Sequence, residues 1–141
     1  MSKLAFRPMR DGEEAAVIAL WEACGLIRPW NDPAHDIAFA RSGPASDVLV
    51  GEEDGAIAAS VMVGHDGHRG SVYYVSVHPA HRGRGHGRAL MAAAEEWLAA
   101  RGIWKLNLLI RLDNEDVRAF YAALGYDVEE RLNMARWLEK T

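Results

Sequence analysis

The chain has 141 residues, of which 50% are apolar, so one hydrophobic core can be buried without disulfide or metal staples. A net charge of -4 excludes a generic polyanion binder, whose footprint would be a broad basic surface, and confines any anion site to a local feature. The single cysteine, Cys24, excludes an internal disulfide and stands at helical spacing behind Val17, Leu20 and Trp21, as a packed thiol does. Met1 to Arg10 lacks the apolar run of a leader, and no stretch reaches the roughly 18 apolar residues of a membrane span. A single cytoplasmic domain, residues 1-141, with no membrane and no nucleic-acid partner is therefore expected.

Leu4, Phe6 and Pro8 read as a short strand, and Asp11-Gly12-Glu13-Glu14 as a helix start running to about Cys24, with Gly25 as its stop. Arg28-Pro29-Trp30-Asn31-Asp32-Pro33 is a proline-framed loop, after which a second helix runs from near Pro33 to before Gly43-Pro44. Asp47 to Glu53 and Ala56 to His65 are apolar-rich strands joined at Asp54-Gly55, a dipeptide suited to the positive backbone angles of a tight hairpin. Asp66 to Gly70 turns the chain into a third strand, Ser71 to Val77, rich in β-branched and aromatic residues. From Gly87 to Arg101 the apolar period becomes helical, and Ile103 to Ile110 reads as a buried strand parallel to the one ending at Val77. Asp113-Asn114 opens another helix that stops at Gly125, and Tyr126 to Glu130 with Asn133 to Leu138 read as a final antiparallel pair. The order β-α-α-β-β-β-α-β-α-β-β predicts an α/β fold: a mixed, mostly antiparallel sheet of about seven strands with helices on both faces.

The segment from Val77 through Arg82-Gly83-Arg84-Gly85-His86-Gly87-Arg88 carries the most chemistry. Closely spaced glycines between a strand and a helix let backbone amides converge, and the helix N-terminus adds positive potential, so such a loop can hold a phosphate or pyrophosphate. The alternative is a tight turn with a solvated basic rim. No Gly-Lys-Ser/Thr follows, which excludes a Walker A site, and no acidic residue ends the next strand, which argues against a dinucleotide site. His65, His68 and the three histidines between His78 and His86 lack a cysteine or carboxylate at ligand spacing, so no metal is expected.

Arg82-x-x-Gly85-x-Gly87, preceded by Val75-x-Val77-x-Pro79, resembles motif A of the GNAT (GCN5-related) N-acetyltransferases. Asn114 through Tyr121 to Gly125-Tyr126 resembles their motif B, with Val117 where a small residue is usual. The stretches Leu20 to Cys24, Arg28 to Pro33 and Asp66 to Gly70 are similar to the YpeA-like bacterial branch, which lies near the ribosomal-protein alanine N-acetyltransferases. The resemblance implies acetyl-CoA as co-substrate, held by the amides of Arg82 to Gly87 with Arg88 and Asn114. It implies that Val75 and Val77 meet the pantetheine arm as an added strand would, with the thioester carbonyl polarised near Val75. Tyr121 matches the tyrosine that protonates the leaving thiolate.

The general base does not transfer. Many relatives carry a glutamate on the strand before motif B, and counting back from Asn114 places Leu109 there. Asp32, His35, Asp66, His68, Tyr74 and His78 are the substitutes nearest the expected cleft. Trp30, Asn31 and Asp32, in the loop between the first two helices, together with Asp66 and His68, are the candidate acceptor contacts. The implied reaction moves acetyl from acetyl-CoA to a primary amine, a protein N-terminus or a small molecule, by direct attack in a ternary complex. A non-catalytic acyl-CoA binding or sensing domain is the rival, which Leu109 permits. The sequence allows a homodimer without requiring one.

Overall fold

The computed structural model describes residues 4-138 and divides the chain into two compact units that meet at Leu108 and Leu109. The first unit carries one five-stranded sheet in the order β1-β2-β3-β4-β5. Its strands are β1 (Ala5–Pro8), β2 (Ser46–Glu53), β3 (Ala56–His65), β4 (Gly70–Val77) and β5 (Leu106–Asn107). Three helices accompany them: α1 (Glu14–Ala23), α2 (Pro33–Ala40) and α3 (His86–Ala99). The first four strands pair antiparallel and β4 with β5 parallel, the mixed pattern a strand-helix-strand crossover imposes.

The Asp54-Gly55 turn has φ values of 53° and 80°, which a tight hairpin between right-twisted strands requires. One face of the sheet is covered by α1 and α2, where Val17, Leu20, Trp21 and Ile37 pack on Val48 and Val50, with Met62 and Tyr74 at the edge. The opposite face receives α3 through Leu90, Met91, Ala94 and Leu98. Gly70 lies so close beneath α3 that an added Cβ would stand 2.5 Å from Leu98 Cδ1, so any side chain at this strand start would have to displace Leu98.

The helix starts follow local chemistry. Asp32 caps α2, its Oδ1 accepting from the amides of Ala34 and His35 at 3.1 and 3.2 Å, and Pro33 occupies the first turn where a missing N–H costs nothing. Asp11 does not cap α1; its carboxylate pairs with Arg41 at 3.0 Å, and α1 begins after Glu13 without a side-chain cap. Glu13 accepts instead from Arg7 at 2.8 and 2.9 Å and from the Arg10 amide at 2.6 Å, tying the end of β1 to the helix entry. The Arg7 bonds hold the Glu13 carboxyl down at about 2.

The second unit contains α4 (Glu115–Ala123), whose N-cap Asn114 accepts from the Val117 amide at 3.2 Å. Gly125, at φ 95°, ends it, and the Tyr126 amide returns to the Tyr121 carbonyl at 3.0 Å. Two sequence expectations change. The buried strand expected over Ile103 to Ile110 contracts to Leu106–Asn107, because its ladder with β4 spans only Gly70↔Leu106 and Ser71↔Asn107 and Trp104 and Leu109 stand exposed. The C-terminal antiparallel pair does not form among the described residues: Val128, Leu132, Met134, Trp137 and Leu138 are exposed, so their apolar character buries no sheet face. The sheet thus has five strands, not seven.

Candidate active site

Two irregularities at the C-terminal half of β4 define the site. The β3-β4 register runs Ala59↔Val77 and Ser60↔Ser76, then resumes at Met62↔Tyr73, so Tyr74 and Val75 stand opposite Val61 alone. This is a β-bulge, which disrupts the ladder, bends the strand and re-aims side chains. Tyr74 takes φ 53°, a left-handed conformation that costs a bulky residue energy and persists only where the surroundings fix it. They do so on three sides. Its ring stacks on buried Trp21 with centroids 3.8 Å apart and planes 4° from parallel. Its hydroxyl donates to Asp36 Oδ2 at 2.7 Å and accepts from the Asn31 amide, and burial together with Asp36 pushes its pKa above the usual tyrosine range. Because β5 ends at Asn107, the β4 strand beyond Ser71, where the bulge lies, has no β5 ladder partner.

The second irregularity follows Val77. A 3-10 turn, Pro79–His81, leads into a loop where Gly83 (φ 81°) and Gly85 (φ 78°) are both left-handed, and Gly85 is the N-cap of α3. A Cβ at either glycine would meet nothing within 4 Å, so glycine is required there by backbone conformation and not by space. The first-turn amides of α3, from His86 onward, have no intrahelical acceptor and carry the positive end of the helix dipole. Arg82, Gly83, Arg84 and Gly85 are exposed around them. The arrangement is a concave set of N–H donors at a helix terminus, suited to a pyrophosphate.

A buried carboxylate sits behind this loop. Glu53, 1% exposed at the end of β2, takes His81 Nδ1 at 2.6 Å and Arg84 Nη1 at 3.0 Å on Oε1, with His86 Nε2 3.1 Å from Oε2. The last approach lacks hydrogen-bond geometry. Glu53, His81 and His86 are near enough together to hold a metal ion, and the guanidinium on Oε1 already supplies the counter-charge that an ion would bring. A groove of about 550 Å³ runs between α1 and the β2-β3 hairpin, reaching His78 and His81 at the rear of the loop.

A strand bulge followed by a glycine-rich turn into a helix is the arrangement expected of motif A, and the comparisons agree. The model of the "Acetyltransferase (GNAT) family" matches residues 14–126. The chain belongs to this family. An acetyltransferase of Yersinia enterocolitica is 44% identical over 135 residues, covering 96% of each chain. An N-acetyltransferase of Yersinia pestis is 47% identical over 128 residues, covering 91% of this chain and 89% of its own. The solved structure of AAC(6')-Iy with a bisubstrate analog, CoA-S-monomethyl-acetylneamine, superposes at a TM-score of 0.80 with 16% identity, covering 97% of this chain and 99% of its own. Glucosamine-6-phosphate N-acetyltransferase from Arabidopsis thaliana superposes at 0.74 with 18% identity, covering 97% and 99%. This GNAT chain is accordingly an acetyltransferase with the family fold, and no helix among its described residues is long and apolar enough to cross a membrane.

The sequence candidates distribute unevenly over this acetyltransferase. Val75 lies in the bulge and Val77 at the strand end, where its carbonyl accepts from Arg82 Nε at 3.2 Å and from the Cys24 thiol at 3.3 Å. The His86 side chain turns inward to Glu53, leaving its backbone amide as the group that can face a ligand. Asn31 reaches the bulge through Tyr74, Trp30 is half-exposed, and Asp32 is occupied as the cap of α2. Asp66 and His68 are in the β3-β4 turn, where the Asp66 carboxylate accepts from the His68 and Arg69 amides at 2.9 and 2.7 Å and is held below its ordinary pKa by them. That turn is separated from Val75 by the first five residues of β4, about 16 Å of strand. In the second unit Asn114 caps α4, and Tyr121 is buried against Phe120 and Tyr126, ring centroids 5.0 and 5.6 Å away. Sequence reasoning missed Glu53 and Asp36, whose partners are remote in the chain.

Proposed function

We propose that the chain transfers acetyl from acetyl-CoA to a primary amine, of a protein N-terminus or a small molecule, by direct attack in a ternary complex. The observation that carries this reading is the pairing of two left-handed glycines at the N-terminus of α3 with a bulge in the part of β4 that has no β5 ladder partner. The amides of Arg82 to Gly87, with Arg88, take the pyrophosphate, and the β4 edge from Val75 to Val77 takes the pantetheine amides as an added strand. The thioester carbonyl then lies at the bulge, where a strand N–H released from the ladder polarises it. The neutral amine nitrogen forms its bond to the carbonyl carbon, the carbon-sulfur bond breaks, the nitrogen gives up a proton to water and the thiolate takes one. Tyr121 is assigned as that donor on its motif match, and Asn114 supports the same helix entry. Burial lifts the Tyr121 hydroxyl to about 12, so it holds its proton throughout the neutral range. A thiol titrating near 8.5 is a fair leaving group, so this help is worth at most about 10²-fold. Calorimetric binding of CoA combined with free-thiol release dependent on an added amine tests the reading. Binding without amine-dependent thiol release would leave the acyl-CoA sensing alternative in its place.

A further inference from the structure

We infer that Asp36 is the carboxylate that receives the cationic amine of the acceptor, with Tyr74 as its positioning residue, so that the acceptor site lies between α2 and the bulge of β4. The inference rests on the acetyl-transfer reading and names the group that recognises the second substrate. Asp36 is half-buried in the first turn of α2 and spends one oxygen on the Tyr74 hydroxyl at 2.7 Å. A carboxylate offers about four acceptor positions, so most of its capacity is left. Among the described residues no Lys, Arg or His lies within ion-pairing distance of it, whereas the neighbouring acids Asp11 and Glu14 both pair with Arg41. An unpaired carboxylate in a partly desolvated place is a receptor for a cation.

Its placement is over-determined. Tyr74 is stacked on Trp21, anchored by Asn31 and held at φ 53° in the bulge, so the Asp36 carboxylate is fixed at the hydroxyl end of a bulge residue. The Tyr74 ring, stacked on buried Trp21, sets an aromatic surface beside the charge, a setting that suits a primary ammonium on a short carbon chain. Asp66 and His68 have no comparable position, since they occupy the far turn of β4.

The competing account makes the Asp36-Tyr74 bond a structural pin between α2 and β4. Asp36→Asn separates the two, because an amide oxygen still accepts from Tyr74 but carries no charge. The probes are 1,4-diaminobutane and the amide of Ala-Gly-Gly with a free N-terminus, assayed by free-thiol release, and CoA alone by calorimetry. The expected result for Asp36→Asn is an acceptor KM raised about tenfold to a hundredfold, with acetyl-CoA KM and melting temperature essentially unchanged. Asp36→Glu restores part of the loss, and Tyr74→Phe, which keeps the ring stack, raises acceptor KM less. An unchanged acceptor KM in Asp36→Asn overturns the inference. Wild-type protein that fails to bind CoA, or that binds it and acetylates neither amine, overturns the acetyl-transfer reading on which the inference rests.

Discussion

Replacing Glu53 probes how the cofactor loop is held. Its carboxylate is 1% exposed and receives His81, Arg84 and His86, so Glu53→Ala strips three loop groups of one acceptor at once. Removing one member of a fully buried ion pair costs about 3–5 kcal/mol. Here the remaining partners are not equally trapped: Arg84 is 52% exposed and His81 25%, so both regain water, while His86 at 9% does not. The expected loss is therefore about 2–3 kcal/mol, that of the two hydrogen bonds to a charged carboxylate from His81 and Arg84. Urea unfolding measured as midpoint times slope reads it directly. The double variant Glu53→Leu, His86→Leu should recover to within about 1 kcal/mol of wild type, because replacing both buried polar groups by apolar ones removes their desolvation penalties together. A Glu53→Ala loss under about 0.5 kcal/mol would refute the claim that this carboxylate ties the loop to β2.

Gly85→Val forces a β-branched residue into φ 78°, so CoA affinity should fall at least about tenfold in a folded protein, and an unchanged calorimetric Kd would remove the loop from the cofactor site. Tyr121→Phe should lower kcat with little change in CoA affinity. Because its hydroxyl titrates only at about 12, the shape of the pH-rate profile should stay the same up to about pH 11, and a variant that alters an alkaline limb near pH 8 would contradict the assignment. Asp32→Ala should cost about 1 kcal/mol of stability through the lost cap and leave acceptor KM alone; a selective KM rise would return Asp32 to the acceptor site. The Glu13 carboxyl is held at about 2 by Arg7, below its ordinary 4.5, so its stabilising bond is fully present above pH 4.5 and lost as pH falls from there through 2. Solvent screening limits its worth to about 1 kcal/mol, and Glu13→Gln should flatten the acid limb of stability by that amount.

Features governed by local backbone rules were legible in the sequence. Asp54-Gly55 announces its hairpin because two positive φ angles admit few residue pairs, and Gly83 and Gly85 announce the loop for the same reason. What stayed hidden depends on partners remote in the chain. The bulge at Tyr74 and Val75 is a count of two residues against one on β3, invisible until β3 is paired. Asp36 lies 38 residues before Tyr74, and at the start of a helix an acid also reads as a favourable charge for the dipole. Glu53 closes a strand beside Asp54, where a carboxylate reads as solvated, and only the returning loop buries it. The C-terminal strands failed for the converse reason: an apolar pattern predicts a strand only where a sheet face receives it.

The loop's charges also sort by task. Arg82, Gly83, Arg84 and Arg88 look in sequence like a basic cradle for phosphate, yet two of the three cations are bound to the protein itself. Arg82 Nε donates to the Val77 carbonyl at 3.2 Å, and Arg84 Nη1 donates to Glu53 at 3.0 Å. These bonds fix the two ends of the turn, one to the bulged strand and one to β2, and so hold the left-handed glycines and the helix N-terminus in register. Backbone dipoles in a fixed concave array need no reorganisation to meet an anion, whereas a flexible cation must be ordered first. On the proposed reading, recognition of the pyrophosphate therefore falls chiefly to the amides. On that reading the arginine side chains act through the shape of the loop, and a chain with net charge -4 needs no basic surface to hold a polyanionic cofactor.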